Sequence, residues 1–368
     1  MMQWPAMHSI FISRCFWDYY LHVFQKLHAA EIAANYSSKV TWFDPPTRNP
    51  LTWLKERKRV FEGITVRRPF ALRNEYERFQ SIDRILFNIQ LKSSLQGDKK
   101  PDLWSIACPH TWLAKSSFFS RTTYWPGDYF RPKEEFSEYE DYDLVMPWTP
   151  DGFKNIPTNF KGIPFLSSTC AGMNFMTFDL SKPIMPRFDF SDRFKKTLVY
   201  VGGLSTGRID FMLLEALAKK LPDYAILLGA KSDGHAETQI AVQKLVSLSN
   251  VFLFDDLGYG ELAELTHAAD ACLIPYKTSG FNAGCCPNKL FEYSALGKNT
   301  VSTPIPALEV FSPLVAIAEH HDSFIKKVQE TACIEPSPKR KKDLLALAHH
   351  ASPEATIQRM KEAFAKRR

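Results

Sequence analysis

Asp270-Ala-Cys-Leu-Ile-Pro-Tyr276 opens the stretch of sequence that decides the fold of this chain. After a loop with two glycines, the stretch continues as Pro287-Asn-Lys-Leu-Phe-Glu-Tyr293 and ends as Ala295-Leu-Gly-Lys-Asn-Thr-Val-Ser-Thr303. This pattern predicts a buried strand, a loop, a helix that begins after a proline, a glycine that ends the helix, and a second strand. The loop and the start of the helix would place backbone N–H groups, a lysine and a glutamate in one small volume. Such a volume suits an anionic diphosphate with a hydroxylated ring beside it.

Strands and helices are predicted to alternate through the rest of the chain. Upstream of the deciding stretch, Thr197-Leu-Val-Tyr-Val201 has the apolar character of a strand, and residues 208–221 and 236–248 have helical apolar spacing. The first half repeats the alternation, from the strand-like His8-Ser-Ile-Phe-Ile-Ser13 to an amphipathic helix over residues 76–95. Alternation of this kind predicts βαβ units and parallel sheets.

The length of 368 residues is enough for two domains with separate cores. A proline-containing segment over residues 180–192 is interpreted as the linker between them. We therefore predict an N-terminal domain over residues 1–180, a C-terminal domain over residues 193–345, and a C-terminal helix over residues 346–368. Ligands of parallel α/β sheets bind beyond the carboxyl ends of the strands, so the site is expected in a cleft between the domains.

Composition argues against several classes of protein. No run of about 18 apolar residues is present, so no transmembrane helix is expected. The N-terminus lacks the charged and apolar regions of a signal peptide. The seven cysteines are irregularly spaced, which predicts neither a disulfide framework nor a zinc site. A reducing cytoplasm is the expected location.

Basic residues are concentrated in three runs, within a net charge of +6. These runs would suit an anionic membrane surface or nucleic acid, although solvated helix faces and a solubilising tail would have the same composition. They are Lys55-Glu-Arg-Lys-Arg59, Lys339-Arg-Lys-Lys342 and Lys366-Arg-Arg368. No zinc finger or aromatic RNA-binding motif accompanies them, so a nucleic-acid partner is disfavoured. We expect the protein in the cytoplasm, with peripheral attachment at the inner face of the plasma membrane as a further hypothesis.

Seven segments in a fixed order carry a resemblance to a known family. They are Tyr200-Val-Gly-Gly203, Arg208-Ile-Asp210, Leu227-Leu-Gly229, Asn250-Val-Phe-Leu-Phe254, residues 259–265, residues 270–276 and residues 288–298. The series resembles the donor domain of GT-B glycosyltransferases. It is most similar to the branch that builds bacterial exopolysaccharide and teichuronic-type polymers, which includes xanthan-type glucuronosyltransferases. The match covers roughly residues 197–303, and the N-terminal half resembles the family only loosely.

The resemblance implies an α/β GT-B fold, with two Rossmann-like domains facing each other across a cleft. The domain over residues 1–180 would bind the acceptor, and the domain over residues 193–345 would bind the nucleotide-sugar donor. It also implies transfer of a hexosyl or uronosyl group from a nucleotide-sugar donor, with UDP expected. The acceptor would be a hydroxyl of a glycan or of a polyprenyl-diphosphate-linked oligosaccharide, in polysaccharide biosynthesis. A non-catalytic subunit of the same fold that binds nucleotide sugars or glycans is the alternative.

The resemblance also implies the donor-binding residues. Lys289 matches the lysine that meets the diphosphate, where a point charge offsets phosphate charge without demanding one orientation. Glu292 lies one turn later on the same helix face and would accept hydrogen bonds from the ribose hydroxyls. Arg208 could reach a phosphate or form a structural salt bridge. The other donor-side candidates are Gly202, Gly203, Asp256, Tyr259, Tyr276 and Asn288. The spacing Gly202-Gly-x-x-x-Gly207 is not the G-x-G-x-x-G fingerprint, so a nicotinamide enzyme is disfavoured.

The predicted stereochemistry depends on one missing carboxylate. The retaining pattern of the family has a second glutamate eight positions before the ribose glutamate, and this chain has Gly284 there. An inverting transfer then needs a general base on the acceptor side. Asp128, in Trp125-Pro-Gly-Asp-Tyr129, matches the family position of the base, and His110 is the second candidate. A turn-forming aspartate and a structural histidine are the alternatives.

No cofactor and no metal are expected. Asp141-Tyr-Asp143 has the form of the D-x-D motif of metal-dependent transferases, but that motif belongs to a different fold and here leads into an apolar strand. Backbone amides and Lys289 would stabilise the leaving diphosphate instead.

Overall fold

A computed structural model describes residues 8–14, 16–17, 23–37, 39–61, 63–95, 100–126, 137, 139–147, 153, 156–165 and 186–366. The chain divides into two compact units. Met1–Gly172 and Ser352–Arg368 form the first unit, and Met173–Ala351 forms the second. The C-terminal segment thus packs with the N-terminal half of the chain. The division into residues 1–180, 193–345 and 346–368 stays a prediction.

The first unit contains a sheet of eight strands in the order β3-β4-β2-β1-β5-β6-β7-β8. All neighbouring strands are parallel except the pair of β3 and β4. The strands are β1 (His8–Ser13), β2 (Lys39–Phe43), β3 (Arg59–Phe61), β4 (Ile64–Arg67), β5 (Asp102–Ile106), β6 (Arg121–Trp125), β7 (Leu144–Val145) and β8 (Ile163–Pro164). The core beside β1 is aromatic, because the ring of Phe11 stacks on Trp42 and on Trp104 at centroid distances of 5.6 and 5.2 Å.

Four helices of the first unit lie between these strands in the chain: α1 (Val23–Asn35), α2 (Pro50–Glu56), α3 (Ser81–Lys92) and α4 (Thr111–Ala114). The helix predicted over residues 76–95 is shorter in the structure. A 3₁₀ turn covers Tyr76–Arg78, and α3 begins only at Ser81. The reason is local, because the Asp83 carboxylate accepts a hydrogen bond from the backbone N–H of Gln80, 3.2 Å away, and so caps the helix there.

The second unit contains six parallel strands in the order β11-β10-β9-β12-β13-β14. The strands are β9 (Lys196–Leu204), β10 (Tyr224–Ser232), β11 (Val251–Phe254), β12 (Ala271–Ile274), β13 (Thr300–Ser302) and β14 (Val315–Ile317). The helices are α5 (Phe211–Lys220), α6 (Ala236–Val246), α7 (Tyr259–His267), α8 (Lys289–Ala295), α9 (Pro306–Glu309), α10 (His321–Ala332) and α11 (Pro338–His350). Parallel sheets in both units confirm the predicted α/β class.

The stretch from residue 270 to residue 303 folds as its sequence predicts. It forms β12, a 3₁₀ turn at Gly280–Gly284, helix α8 and strand β13. Gly297 follows α8 with φ of +62°, a conformation that favours glycine over residues with a side chain. The glycine stop predicted from the sequence is therefore confirmed.

Each sheet has one point where the strand order reverses. In the second unit the chain proceeds from β9 to β10 and β11 on one side, and then crosses to β12, β13 and β14 on the other. In the first unit the corresponding point lies between β1 and β5. The loops that follow two such neighbouring strands diverge and leave a crevice, where ligands of open α/β sheets bind. A ligand site in the second unit is therefore expected beyond the carboxyl ends of β9 and β12.

The last helix, α12 (Pro353–Lys366), belongs to the first unit, where it packs against α1. Its Phe364 ring lies 5.4 Å from the Arg121 guanidinium, and the Lys361 ammonium lies 4.9 Å from the Tyr36 ring. None of the described helices is both long and apolar enough to cross a bilayer.

Candidate functional site

Strands β9 and β12 separate before β9 ends. Their pairing covers only Leu198 and Val199 on β9, although β9 continues to Leu204. The hydroxyl of Tyr293, on α8, lies in the opening. It accepts a hydrogen bond from the backbone N–H of Val201, 3.2 Å away, and donates one to the carbonyl of Leu273, 3.4 Å away. Helix α8 is thereby attached to both strands at the reversal point.

Replacing Tyr293 with phenylalanine is expected to lower the free energy of unfolding by about 1–3 kcal/mol. The buried N–H of Val201 would lose its partner. Urea denaturation measures the change. Tyr224→Phe is a matched control, because among the described residues the Tyr224 hydroxyl has a hydrogen bond only with the Cys333 sulfur, at 3.7 Å. This variant should cost less than about 1 kcal/mol. Equal losses in the two variants would contradict the role of Tyr293.

The structure brings together four of the predicted donor-binding residues: Gly202, Arg208, Tyr276 and Lys289. Of these, Gly202 and Lys289 are in direct contact. A Cβ atom added to Gly202 would lie 2.5 Å from Cε and 2.6 Å from Nζ of Lys289, so the lysine side chain lies directly against this glycine. Gly202 has φ of +136°, which side-chain-bearing residues rarely adopt. The ammonium of Lys289 is therefore held at the carboxyl end of β9, where backbone without a side chain allows its approach.

Two tyrosine rings lie beside this ammonium. Nζ of Lys289 is 5.5 Å from the ring centre of Tyr200 and 5.7 Å from that of Tyr276, and the guanidinium carbon of Arg208 is 5.5 Å from the Tyr276 ring. Burial, followed by the neighbouring Tyr276 and Tyr293, raises the pKa of Tyr200, so its hydroxyl stays neutral. That hydroxyl donates to the carbonyl of Gly203 at 2.9 Å. The rings thus present neutral aromatic faces to two cations.

The loops that follow β9 and β12 are joined to each other. The carbonyl of Arg208 accepts hydrogen bonds from the N–H of Lys277, at 2.9 Å, and from the side-chain amide of Asn282, at 2.8 Å. The Asn282 amide also donates to the carbonyl of Lys277 at 2.8 Å. These bonds fix the backbone that carries Arg208 relative to the loop that leads into α8.

Helix α8 presents a polar face that contains Lys289 and Glu292. Both are half-buried, whereas the other residues of the helix are buried. The predicted i, i+3 relation of the two side chains is confirmed, because both residues lie in α8. Asn288, just before the helix, has a buried side-chain oxygen that makes no hydrogen bond with any described residue. The ammonium of Lys289, the carboxylate of Glu292 and the amide oxygen of Asn288 are therefore all carried by residues at the start of α8.

Asp256 and Tyr259, two further donor-side candidates, follow a strand that is not adjacent to β9 or β12. They follow β11, the edge strand, which β10 separates from β9. Asp256 is exposed, and α7 begins at Tyr259, where the Glu261 carboxylate accepts a hydrogen bond from the N–H of Gly258 at 2.9 Å. No hydrogen bond or ion pair with a described residue links Asp256 to the cluster of Lys289 and Arg208. The role of Asp256 and Tyr259 in binding the donor stays a prediction.

The two candidates for the general base are in different situations. Asp128 lies outside the described residues. His110 is buried in the first unit, where its Nδ1 is 3.2 Å from the Ser105 hydroxyl and its backbone N–H donates to the Tyr142 hydroxyl at 2.6 Å. Burial lowers the pKa of His110 to about 3, so the ring is neutral at physiological pH. Packing against the Tyr76 ring, 5.1 Å away, makes His110 part of the aromatic core, which disfavours the role of a base that reaches an acceptor.

The carboxylates of Asp141 and Asp143 have structural partners. Asp141 forms an ion pair with the Lys115 ammonium at 3.1 Å, and Asp143 accepts a hydrogen bond from the N–H of Thr122 at 2.9 Å. In the part of the chain that the structure describes, no three His, Cys, Asp or Glu side chains are grouped as metal ligands would be. Metal independence stays a prediction.

Comparison with known proteins adds evidence of two kinds. No protein-family model matches the chain. One curated relative from Bacillus subtilis, "Putative teichuronic acid biosynthesis glycosyltransferase TuaH", is 27% identical over 136 residues, which are 37% of this chain and 34% of the relative. The match thus spans about a third of that protein.

Solved structures match over almost the whole chain. "Trehalose-6-phosphate from E. coli bound with UDP-2-fluoro glucose" is 12% identical with a TM-score of 0.69, and covers 96% of this chain and 98% of that one. An alpha,alpha-trehalose-phosphate synthase (UDP-forming) from Burkholderia vietnamiensis is 10% identical with a TM-score of 0.70, and covers 98% and 99%. Both are structures of GT-B glycosyltransferases. This chain has the GT-B fold. Identities this low show the fold alone. Another similar structure is of a trehalose-6-phosphate synthase, an enzyme that transfers the glycosyl group with retention of configuration.

Three side chains of the candidate site were not predicted from the sequence. Tyr200, Tyr293 and Asn282 were not predicted as site residues, yet they contact Lys289, Val201 and Arg208 respectively. Their partners are 89, 92 and 74 positions away in the chain, so local patterns carry no signal for these contacts. A weak signal exists only for Tyr200, which stands two positions before Gly202 in the predicted strand and so shares its face of the sheet.

Proposed function

We propose that this chain is a glycosyltransferase that moves a sugar from a UDP-sugar to a hydroxyl group. The observation that carries the proposal is the ammonium of Lys289 packed against Gly202 at the reversal point between β9 and β12. The sequence similarity to TuaH and the GT-B fold support it. The similar E. coli structure is bound with UDP-2-fluoro glucose, which favours UDP as the nucleotide.

The donor would bind in the second unit through its diphosphate. Lys289 would offset the negative charge on the departing diphosphate, with Arg208 as a second cation attached to the same aromatic cluster. Glu292, on the same helix face as Lys289, would accept hydrogen bonds from the ribose hydroxyls. The amide oxygen of Asn288 would accept one further hydrogen bond from the donor.

The acceptor hydroxyl must lose a proton as it attacks the anomeric carbon. We assign this step to Asp128, which the resemblance places on the acceptor side, and we assign inversion to the reaction because Gly284 supplies no second carboxylate. In a single displacement the acceptor oxygen forms the new bond to the anomeric carbon, the diphosphate leaves with the bonding electrons, and Asp128 takes the proton. Lys289 and backbone amides stabilise the leaving group, so the proposal includes no metal.

The biological acceptor is proposed to be a glycan or a polyprenyl-diphosphate-linked oligosaccharide in polysaccharide biosynthesis. The name of the Bacillus subtilis relative, a teichuronic acid biosynthesis glycosyltransferase, supports this class of product. The proposed location is the cytoplasm, at the inner face of the plasma membrane. The rival function is a non-catalytic subunit that binds nucleotide sugars, which would keep the Lys289 cluster and lack turnover.

A panel of nucleotide sugars tests the proposal. Purified protein is incubated with UDP-, GDP- and dTDP-linked sugars that carry a radiolabel, with a polyprenyl-diphosphate-linked oligosaccharide as acceptor. We expect release of nucleoside diphosphate with UDP-sugars above the others. Calorimetric titration with UDP alone separates donor binding from turnover. Binding without turnover for every donor would favour the non-catalytic subunit, and neither binding nor turnover would refute the donor site.

Two readouts of the same reaction test its finer features. The reaction is repeated with excess EDTA, and we expect its rate to be unchanged. Loss of activity that Mg²⁺ restores would contradict the metal-independent mechanism.

The anomeric configuration of the product is determined by NMR. Retention of the donor's configuration would contradict the assignment of inversion.

A further inference from the structure

A cationic cavity lies in the first unit, away from the strands β1 and β5 where that sheet reverses. Its volume is about 310 Å³, and its lining comes from α2 and the residues after it, from β4 and from α3. Four of the lining residues are basic: Arg57, Lys58, Arg67 and Arg68. The aromatic rings of Phe43 and Trp53 form part of the wall. The cavity therefore combines positive charge with apolar surface.

Three of these four cations have no carboxylate partner among the described residues. Arg68 pairs with Glu56, whereas Arg57, Lys58 and Arg67 pair with no described Asp or Glu. Arg67 uses one N–H of its guanidinium, in a 3.2 Å hydrogen bond to the Ser93 hydroxyl. Arg57 lies 6.0 Å from the ring of Trp53. Most of the hydrogen-bond donors of this cluster are thus available to an anion.

The electrostatic environment around the cavity is positive. Burial lowers the pKa of Arg67, and the pKa of Lys39 is lowered by burial and then by Arg67 and Lys58. Burial, followed by Lys39 and Arg67, lowers the pKa of His8 to about 4. Uncompensated positive charge disfavours further protonation nearby. A bound anion would relieve this repulsion.

Exposed apolar side chains lie on the two helices that line the cavity. Leu51 and Leu54 on α2 are 77% and 54% exposed. Ile82, Ile85 and Ile89 on α3 are about equally exposed and lie at i, i+3 and i+7, so they form one stripe on the helix. Val60, on the edge strand β3, is exposed as well. An exposed apolar stripe such as that of the three isoleucines is unusual on a surface that faces only water.

The combination of charge and apolar stripe identifies the occupant. Free phosphate would be attracted by the cations but would leave the isoleucines and leucines in water, and a nucleic acid would leave them in water too. An anionic bilayer supplies phosphate groups for the cavity and a hydrocarbon boundary for the exposed side chains. We infer that the face formed by α2, β3 and α3 docks on an anionic phospholipid bilayer, with a lipid phosphate in the cationic cavity. The inference rests on the membrane location proposed above and names the surface that would make the attachment. All the residues it uses belong to the first unit, and none of them belongs to the proposed UDP-sugar site.

Vesicle sedimentation of the full chain tests the inference. The vesicles contain phosphatidylcholine alone, or phosphatidylcholine and phosphatidylglycerol in equal parts. We expect sedimentation only with the anionic vesicles. The variant Arg57→Gln/Lys58→Gln should bind about 30-fold more weakly, since a basic side chain near an anionic surface contributes about 1 kcal/mol. The variant Leu51→Ser/Leu54→Ser should bind at least about tenfold more weakly, because two apolar side chains no longer enter the boundary.

Matched controls separate this surface from general effects of charge and hydrophobicity. Lys339→Gln/Lys342→Gln removes the same charge from two exposed residues of the basic run at residues 339–342. Met212→Ser/Ile240→Ser removes two exposed apolar side chains from the second unit. We expect both to bind like the unmodified chain. Circular dichroism and thermal unfolding confirm that each variant is folded. Equal losses in test and control variants would overturn the inference.

A third arm distinguishes a lipid from a free anion. Inorganic phosphate is titrated into the protein by calorimetry and is also added to the vesicle assay, with sodium chloride at equal ionic strength as the control. We expect weak binding of phosphate and equal displacement by the two salts. Tight binding of inorganic phosphate, together with no preference for anionic vesicles, would show an anion site that does not dock on membranes.

Discussion

Replacing Lys289 with alanine is expected to lower kcat for sugar transfer by about 100- to 1,000-fold. This is the usual loss when one group that stabilises developing negative charge is removed. The ammonium lies against Gly202, near the carboxyl end of β9, and within 5.7 Å of the ring centres of both Tyr200 and Tyr276. Initial rates with the UDP-sugar selected from the donor panel measure the effect.

The control for this prediction is Lys220→Ala. Lys220 is exposed at the end of α5, and its removal lowers the net charge by the same amount. We expect its kcat to stay within about twofold of the unmodified enzyme, because charges on the surface are screened over such distances. If Lys289→Ala retained full activity, the assignment of this lysine to the diphosphate would be wrong. Lys289→Arg keeps the charge and should recover part of the activity.

Replacing Gly202 with alanine is expected to weaken UDP binding by about tenfold or more, and to lower the free energy of unfolding by about 1–3 kcal/mol. The two effects have different causes. The φ of +136° strains any residue that has a Cβ, which lowers stability. The new methyl group would lie 2.6 Å from Nζ of Lys289, so the flexible lysine must move and its ammonium leaves its position. Urea denaturation and UDP calorimetry measure the two losses separately.

Gly203→Ala is the matched control, because a Cβ at Gly203 meets no atom within 4 Å and its φ lies outside the positive region. We expect a free energy of unfolding close to that of the unmodified protein. Because Gly203 is itself a predicted donor-binding residue, this control applies to stability and not to UDP binding. The double variant Gly202→Ala/Lys289→Ala separates the causes further. If the methyl group acts on binding by displacing the lysine, it should weaken binding no further once the lysine is absent, while the loss of stability remains. Additive losses in binding would contradict that explanation.

Much of the second unit can be predicted from its sequence, because the signals are local. Apolar runs mark the strands, Pro287 and Gly297 lie on either side of α8, and Lys289 and Glu292 lie three positions apart on one helix face. The resemblance to GT-B transferases rests on the same segments. The boundary of α3 was predicted less well, because the cap formed by Asp83 on Gln80 competes with the apolar spacing that continues before it.

In the first unit, the burial or exposure of individual side chains could not be predicted from local sequence. His110 follows a strand in a loop, a position that suits a catalytic histidine as well as a structural one. Only the packing of Tyr76, Tyr142 and Ser105 around it makes it a core residue. Likewise, the helical spacing over residues 76–95 predicted an amphipathic helix, but not that Ile82, Ile85 and Ile89 would be left on the outside. Burial of a side chain depends on what the rest of the chain places beside it.

By itself, the sequence determined the α/β class and the order of the strands and helices around α8, since each depends on residues a few positions apart. The role of Lys289 as the diphosphate contact is a prediction from the resemblance to the donor domain. The tertiary structure alone decided which distant residues meet. The crossing of the chain from β11 to β12 brings the loop after residue 274 beside the glycines of β9. The rings of Tyr200 and Tyr276 then lie beside the lysine, and the Tyr293 hydroxyl accepts a hydrogen bond from the N–H of Val201. These contacts join residues up to 92 positions apart, and the strand order of the sheet sets them.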